Sequence, residues 1–64
     1  MAVTRVRMKD LQKYDYVEEF GRIVEGIYFD PGDGYWIDWE DGDGGYIDNP
    51  NRYVTVEIDG RENY

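Results

Sequence analysis

The 64-residue chain contains no cysteine, no histidine and no serine. Without cysteine no disulfide can staple a small fold, and without cysteine and histidine the common zinc sites are excluded. The nucleophile and base pairs of triad hydrolases cannot be assembled either, since only Thr4 and Thr55 carry an aliphatic hydroxyl. Positive charge is scarce: 7 Lys and Arg stand against 15 Asp and Glu, for a formal net charge of −8. A surface of that sign repels phosphate, so direct DNA or RNA binding is not expected. No apolar run approaches the roughly 20 residues of a membrane span. The N-terminus, where Arg5, Arg7 and Lys9 interrupt Val3, Val6 and Met8, lacks the apolar block of a signal peptide. These absences lead to the expectation of a soluble, cytoplasmic chain that is not an enzyme, holds no cofactor or metal and touches no membrane.

What the chain has in quantity is aromatic surface and turn chemistry. A single domain over residues 1–64, with its core at about 10–58, buries only roughly 60% of its unfolded surface. The 7 Tyr, 2 Trp and 2 Phe offset the missing crosslinks, because each ring can bury on the order of 150–250 Å². Residues 35–46 concentrate this material. Tyr35, Ile37 and Trp39 alternate with Trp36, Asp38 and Glu40, which predicts a strand with one face inward. Asp41-Gly42 then signals a hairpin, lengthened by Asp43-Gly44-Gly45.

The flanking segments read as strands and turns as well. Residues 2–9 alternate loosely and predict an edge strand or a flexible arm. Leu11 tucks under the core, Asp15 bonds a nearby backbone N–H in a turn, and residues 16–20 form a short strand ended by Gly21. Residues 22–29 are the longest β-like run, with Ile23, Ile27 and Phe29 on one parity, Val24 and Tyr28 on the other, and a bulge expected at Gly26. Asp30-Pro31-Gly32-Asp33-Gly34 is a turn, Asn49-Pro50-Asn51-Arg52 another, and Val54, Val56 and Ile58 alternate inward along a closing strand. Residues 59–64 read as a frayed polar tail. Five of the seven basic residues (Arg5, Arg7, Lys9, Lys13, Arg22) lie in the first 22 positions, so the chain is electrically lopsided.

Five short strands with these turns predict a small all-β barrel. The entry Asp10, Leu11, Asp15, Val17, the segment Gly21, Ile23, Val24, the hairpin Ile37, Trp39, Asp41, Gly42, and the terminal Val54, Val56 resemble SH3-like barrels of the Tudor and KOW type. The resemblance spans about residues 10–58 and departs at Tyr14, where the entry commonly has glycine. It implies a five-stranded SH3-like barrel with a loosely attached N-terminal strand or arm. It also implies binding rather than catalysis, by an aromatic cage in the Tudor relatives, and it suits a small stand-alone phage protein.

Tyr28, Trp36 and Tyr46 take the parity opposite the core set of Ile23, Ile27, Tyr35, Ile37, Trp39, Val54 and Val56, or lie at its margin, and make a candidate aromatic surface. Asp38, Glu40, Asp41 and Asp43 supply charge beside it, and aromatic faces with nearby carboxylates attract cations. With Asp30 and Asp33 these acids would form six carboxylates at one barrel end, although their spacing is not that of a helical calcium loop and solvated turn acids are the expected role. The leading expectation is a protein-interaction module that offers an acidic, aromatic face to a basic partner. Two others stand beside it. One is a nucleic-acid mimic that inhibits a DNA- or RNA-binding host factor, distinguished by steep salt dependence; the other is a structural homo-oligomer joined edge to edge by the N-terminal strand.

Overall fold

Val54 and Val56 alternate with Tyr53, Thr55 and Glu57, and the resulting strand has one wholly buried side on which the rest of the chain is assembled. The protein is represented by a computed structural model that describes residues 2–63. In chain order the strands are β1 (Val3–Arg7), β2 (Tyr16–Val17), β3 (Arg22–Asp30), β4 (Gly34–Trp39), β5 (Gly44–Tyr46) and β6 (Tyr53–Glu57). They make one antiparallel sheet in the order β1-β6-β2-β3-β4-β5. The all-β expectation holds in the form of an open six-stranded sheet whose outer strands, β1 and β5, each have one neighbour. None of the described helical segments is long and apolar enough to cross a membrane.

The N-terminal segment is not a loosely attached arm. β1 pairs with β6 along its whole length, from Val3 opposite Glu57 to Arg7 opposite Tyr53. A 3₁₀ turn, Met8–Asp10, then carries Met8 into the core, and its backbone is tied to the Asn49–Arg52 turn by Met8 N–H to Arg52 C=O and Lys9 N–H to Pro50 C=O. The strand expected over 16–20 is shorter than its sequence suggests. After Val17 the chain turns, with the N–H groups of Phe20 and Gly21 both donating to Val17 C=O and Gly21 at φ 63°. Glu19 compensates for the missing length. Its carboxylate accepts the Thr55 N–H of β6 at 2.8 and 3.0 Å, a bond that holds its pKa below the ordinary carboxylate value.

The core joins Met8, Leu11, Val17, Val24, Ile37, Trp39, Val54 and Val56, with Val6, Ile27, Ile47 and Ile58 packed against it. One member of the expected core is displaced. Ile23 is 39% exposed, whereas Val24 is fully buried. The cause is the bulge at Gly26: Val24 opposes Trp39 and Gly26 opposes Asp38, so Glu25 is an extra residue and the inward parity switches from even to odd across it. Ile27 therefore points inward as expected, but Ile23, on the other side of the bulge, does not. Tyr35 and Phe29 face inward too, yet at the end of the β3–β4 hairpin they reach past the core. Phe29 is 63% exposed and stacks on Tyr35 at 5.0 Å between ring centroids.

The expected polar tail is docked over its described part. Residues Asp59–Asn63 form a 3₁₀ turn, and Tyr64 lies outside the described residues. Arg61 holds the fully buried Asp15 with two bonds, Nε to Oδ1 at 2.6 Å and a terminal nitrogen to Oδ2 at 2.7 Å. Asp15 Oδ2 also accepts the Gln12 N–H at 3.0 Å, the local turn bond anticipated for it. Tyr14, just before, has φ 75°, the left-handed conformation for which glycine is the natural occupant.

Candidate functional site

The outer face of β4 is set by the alternation of its residues: Ile37 and Trp39 are buried, so Trp36 and Asp38 turn away from the core. Register extends that choice to both neighbouring strands. Tyr28 of β3, Trp36 of β4 and Tyr46 of β5 stand directly opposite one another, and the next row is Gly26, Asp38 and Gly44. The three aromatics singled out on this side are thus one cross-strand line, with Asp38 immediately beside it.

Contacts fix the row in place. Trp36 Nε1 donates to Asp38 Oδ1 at 2.7 Å, which orients both side chains. The Trp36 and Tyr46 rings meet edge to face at 4.9 Å and 87°, an arrangement favoured by the ring quadrupoles. The two glycines of the second row make room for it. A Cβ on Gly26 would lie 2.6 Å from Tyr28 Oη, and one on Gly44 would lie 2.7 Å from Asp38 Oδ1 and 2.9 Å from Ile37 C=O. Tyr28 folds over the first glycine and Asp38 over the second. Trp36 is half-buried, while Tyr28 and Tyr46 are 54% and 51% exposed. The row is an anchored aromatic surface open to solvent.

Acid charge flanks the row on the side of the β3–β4 turn. Tyr46 Oη approaches Asp33 Oδ2 at 3.5 Å, and Asp30 shapes the same turn by accepting the Gly32 N–H. Desolvation of the hydroxyl, followed by the charges of Asp33 and Asp30, raises the Tyr46 phenol above its ordinary pKa of 10.0. A raised phenol pKa favours the neutral form in the fold, so this contribution to stability is complete at neutral pH and is lost as pH climbs past 10 through the folded value. Phenolate absorbance should therefore show a component titrating above 10 that disappears in Tyr46→Phe and moves down in Asp33→Asn. An unchanged titration curve in both variants would contradict the placement of Tyr46 beside these acids.

The remaining acids of the sequence reading lie elsewhere. Asp41 and Asp43 are in the β4–β5 turn, where Arg22 binds both, through Nε at 2.9 Å and a terminal nitrogen at 2.8 Å. The hydrogen bond with Arg22 holds Asp43 below its ordinary pKa, and the same bond raises that of Arg22. Glu40 is exposed beside Ile23, whose C=O accepts its N–H. The six carboxylates do not gather at one end, because β4, with its 6 residues, about 20 Å of strand, separates the two turns. Among the described residues no group of three or more potential ligands is placed to hold a metal ion.

One feature on the opposite side was not evident from the sequence. A groove of about 320 Å³ runs beside β5, floored by Met8, Ile37 and Trp39 and walled by Phe20, Arg22 and Arg52. The Arg52 guanidinium lies 5.5 Å from the centre of the Phe20 ring. Its residues come from separate segments of the chain, and the only hint was the aromatic Phe20 beside the strand-ending Gly21. The chain matches no family model, no curated protein and no solved structure.

Proposed function

We propose that this chain is a small acidic protein-interaction module, an SH3-like variant of the Tudor and KOW type, that offers the Tyr28–Trp36–Tyr46 row to a basic partner protein. The observation that carries the reading is the register that aligns these three rings on the outer face with Asp38 and Asp33 at their margins. Such a row receives cationic side chains by ring-face attraction, while the surrounding acids steer the approach. The fold already uses that chemistry internally: Arg7 sits over Tyr53 at 5.3 Å and Arg22 over Trp39 at 5.5 Å. The open sheet is read as a barrel-like fold whose β1 and β5 edges stay apart. Binding rather than catalysis is favoured by the lack of His, Cys and Ser.

The test is titration of an arginine- and lysine-rich peptide into the wild-type chain and into Trp36→Ala. Loss of the ring row should weaken binding by about tenfold or more, or about 1.4 kcal/mol, while thermal unfolding stays cooperative. Equal affinity in the two proteins would defeat the reading. Raising salt should slow association without removing the aromatic part of the affinity; full loss of binding at moderate salt, with displacement by DNA, would instead indicate mimicry of nucleic acid.

A further inference from the structure

The two edges of the sheet are unlike in charge and alike in what their backbones leave open. On β1, Met8 N–H bonds Arg52 C=O and Ile58 N–H bonds Ala2 C=O, so the even-numbered residues bond across to β6. The N–H and C=O of Val3, Arg5 and Arg7 consequently face the free edge. On β5, Trp39 N–H bonds Asp43 C=O and Ile47 N–H bonds Tyr35 C=O, which turns the N–H and C=O of Tyr46 and the C=O of Gly44 outward. Gly44 N–H is taken by the Asp43 carboxylate. Among the described residues neither edge is covered by another segment through a strand ladder, and a bare edge is a template for pairing.

Side-chain faces make the two edges complementary. Val54 and Val56 mark the inner face at β6, so Arg5 and Arg7 of β1 lie on the outer face, as the stacking of Arg7 on Tyr53 confirms. Tyr46 lies on the outer face of β5 beside Trp36. A joint that continues the sheet keeps outer face with outer face. It therefore sets guanidinium groups next to the aromatic and acidic row. Pairing β1 with a second β1 brings arginines together and is opposed, as is pairing β5 with β5 among the acids.

We propose that β1 of one molecule adds antiparallel to the free edge of β5 of a second copy, with Arg5 opposite Tyr46 and Arg7 opposite Gly44 beside Asp38. The joint rests on the reading of the outer row as a surface for basic side chains and names this chain itself as the basic partner. It is head to tail, so each copy keeps one free edge and growth continues until a ring closes or a filament forms. The chain's net charge of −8 opposes assembly at long range, and the local pairing of a basic edge with an acidic one is what overcomes it.

Sedimentation of the full chain over a concentration series tests this. Mass is expected to rise above the 7.6 kDa monomer and to fall back as salt is added. Arg5→Pro should stay monomeric with a cooperative melt, since the Arg5 N–H faces the free edge and proline there costs no ladder bond. Should Arg5→Pro fail to fold, R5E/R7E serves in its place and should likewise stay monomeric. Wild-type chain that stays at monomer mass, or association untouched by these variants, overturns the inference. Peptide binding to the monomeric variant separates the two levels: peptide bound with no self-association removes the second copy as partner and leaves the binding face, whereas no peptide bound and no self-association removes both.

Discussion

Arg61→Ala should cost about 3–5 kcal/mol of folding free energy, out of a total of about 3–10 kcal/mol for a chain of this size. Asp15 has no exposed surface, and Arg61 supplies two of the three hydrogen bonds to its carboxylate. Removing the guanidinium leaves a charged carboxylate in the interior with one backbone N–H for company, and the charge must be hydrated by local opening. Urea unfolding followed by tryptophan fluorescence reads the loss as a lower midpoint. The double variant D15A/R61A separates the pair from its parts. With both charges gone the buried site holds no unpaired group, so the double variant should be more stable than Arg61→Ala alone. A loss below about 1 kcal/mol in the single variant would mean that the bridge is solvated in solution and contributes like a surface ion pair.

Val24→Lys should leave the chain unfolded, and Ile23→Lys, one position earlier, should fold with a loss of about 1 kcal/mol. Val24 is wholly enclosed on the inner face of β3 opposite Trp39, and the buried acid beside it, Asp15, whose C=O accepts the Val24 N–H, already has its carboxylate bound by Arg61. An ammonium at that position is an unpaired charge in the interior. Ile23 projects to the other side, where Glu40 is near enough to share its surroundings. Circular dichroism and heteronuclear NMR distinguish the two outcomes directly. The opposite result, a folded Val24→Lys and an unfolded Ile23→Lys, would place the extra residue of the bulge elsewhere than Glu25.

That pair of residues also shows how far the sequence could be read. The bulge at Gly26 was legible, because glycine inside a β-run is a known mark of one, but a glycine does not show which neighbour is the extra residue, so the inward turn of Val24 and the outward turn of Ile23 were not. Turns were legible for a local reason: Asp30 accepts the Gly32 N–H, Asp41 accepts the Asp43 N–H, and Gly34 and Gly42 take φ 99° and 91°, all within a few residues. Alternation along β4 was enough to put Trp36 and Asp38 outside and Ile37 and Trp39 inside. The bond between Arg61 and Asp15 joins positions 46 apart, and no period or spacing announces a contact of that range. The grouping of acids failed for a related reason. Two turns close in sequence are held apart by the strand between them, so proximity along the chain reversed the spatial answer.

The place of β6 in the sheet bears on how the molecule is made. It is the last of the six strands in chain order, yet it lies between β1 and β2, with Thr4 and Val17 both opposite Val56. During synthesis β3, β4 and β5 meet as a meander through short turns, while β1 has no strand to pair with until residues 53–57 emerge, and Asp15 waits longer still for Arg61. Pairings of such long sequence separation slow folding. The early product of translation is therefore an aromatic meander beside an unpaired basic strand, and the sheet completes only once residues 53–57 and then Arg61 have emerged.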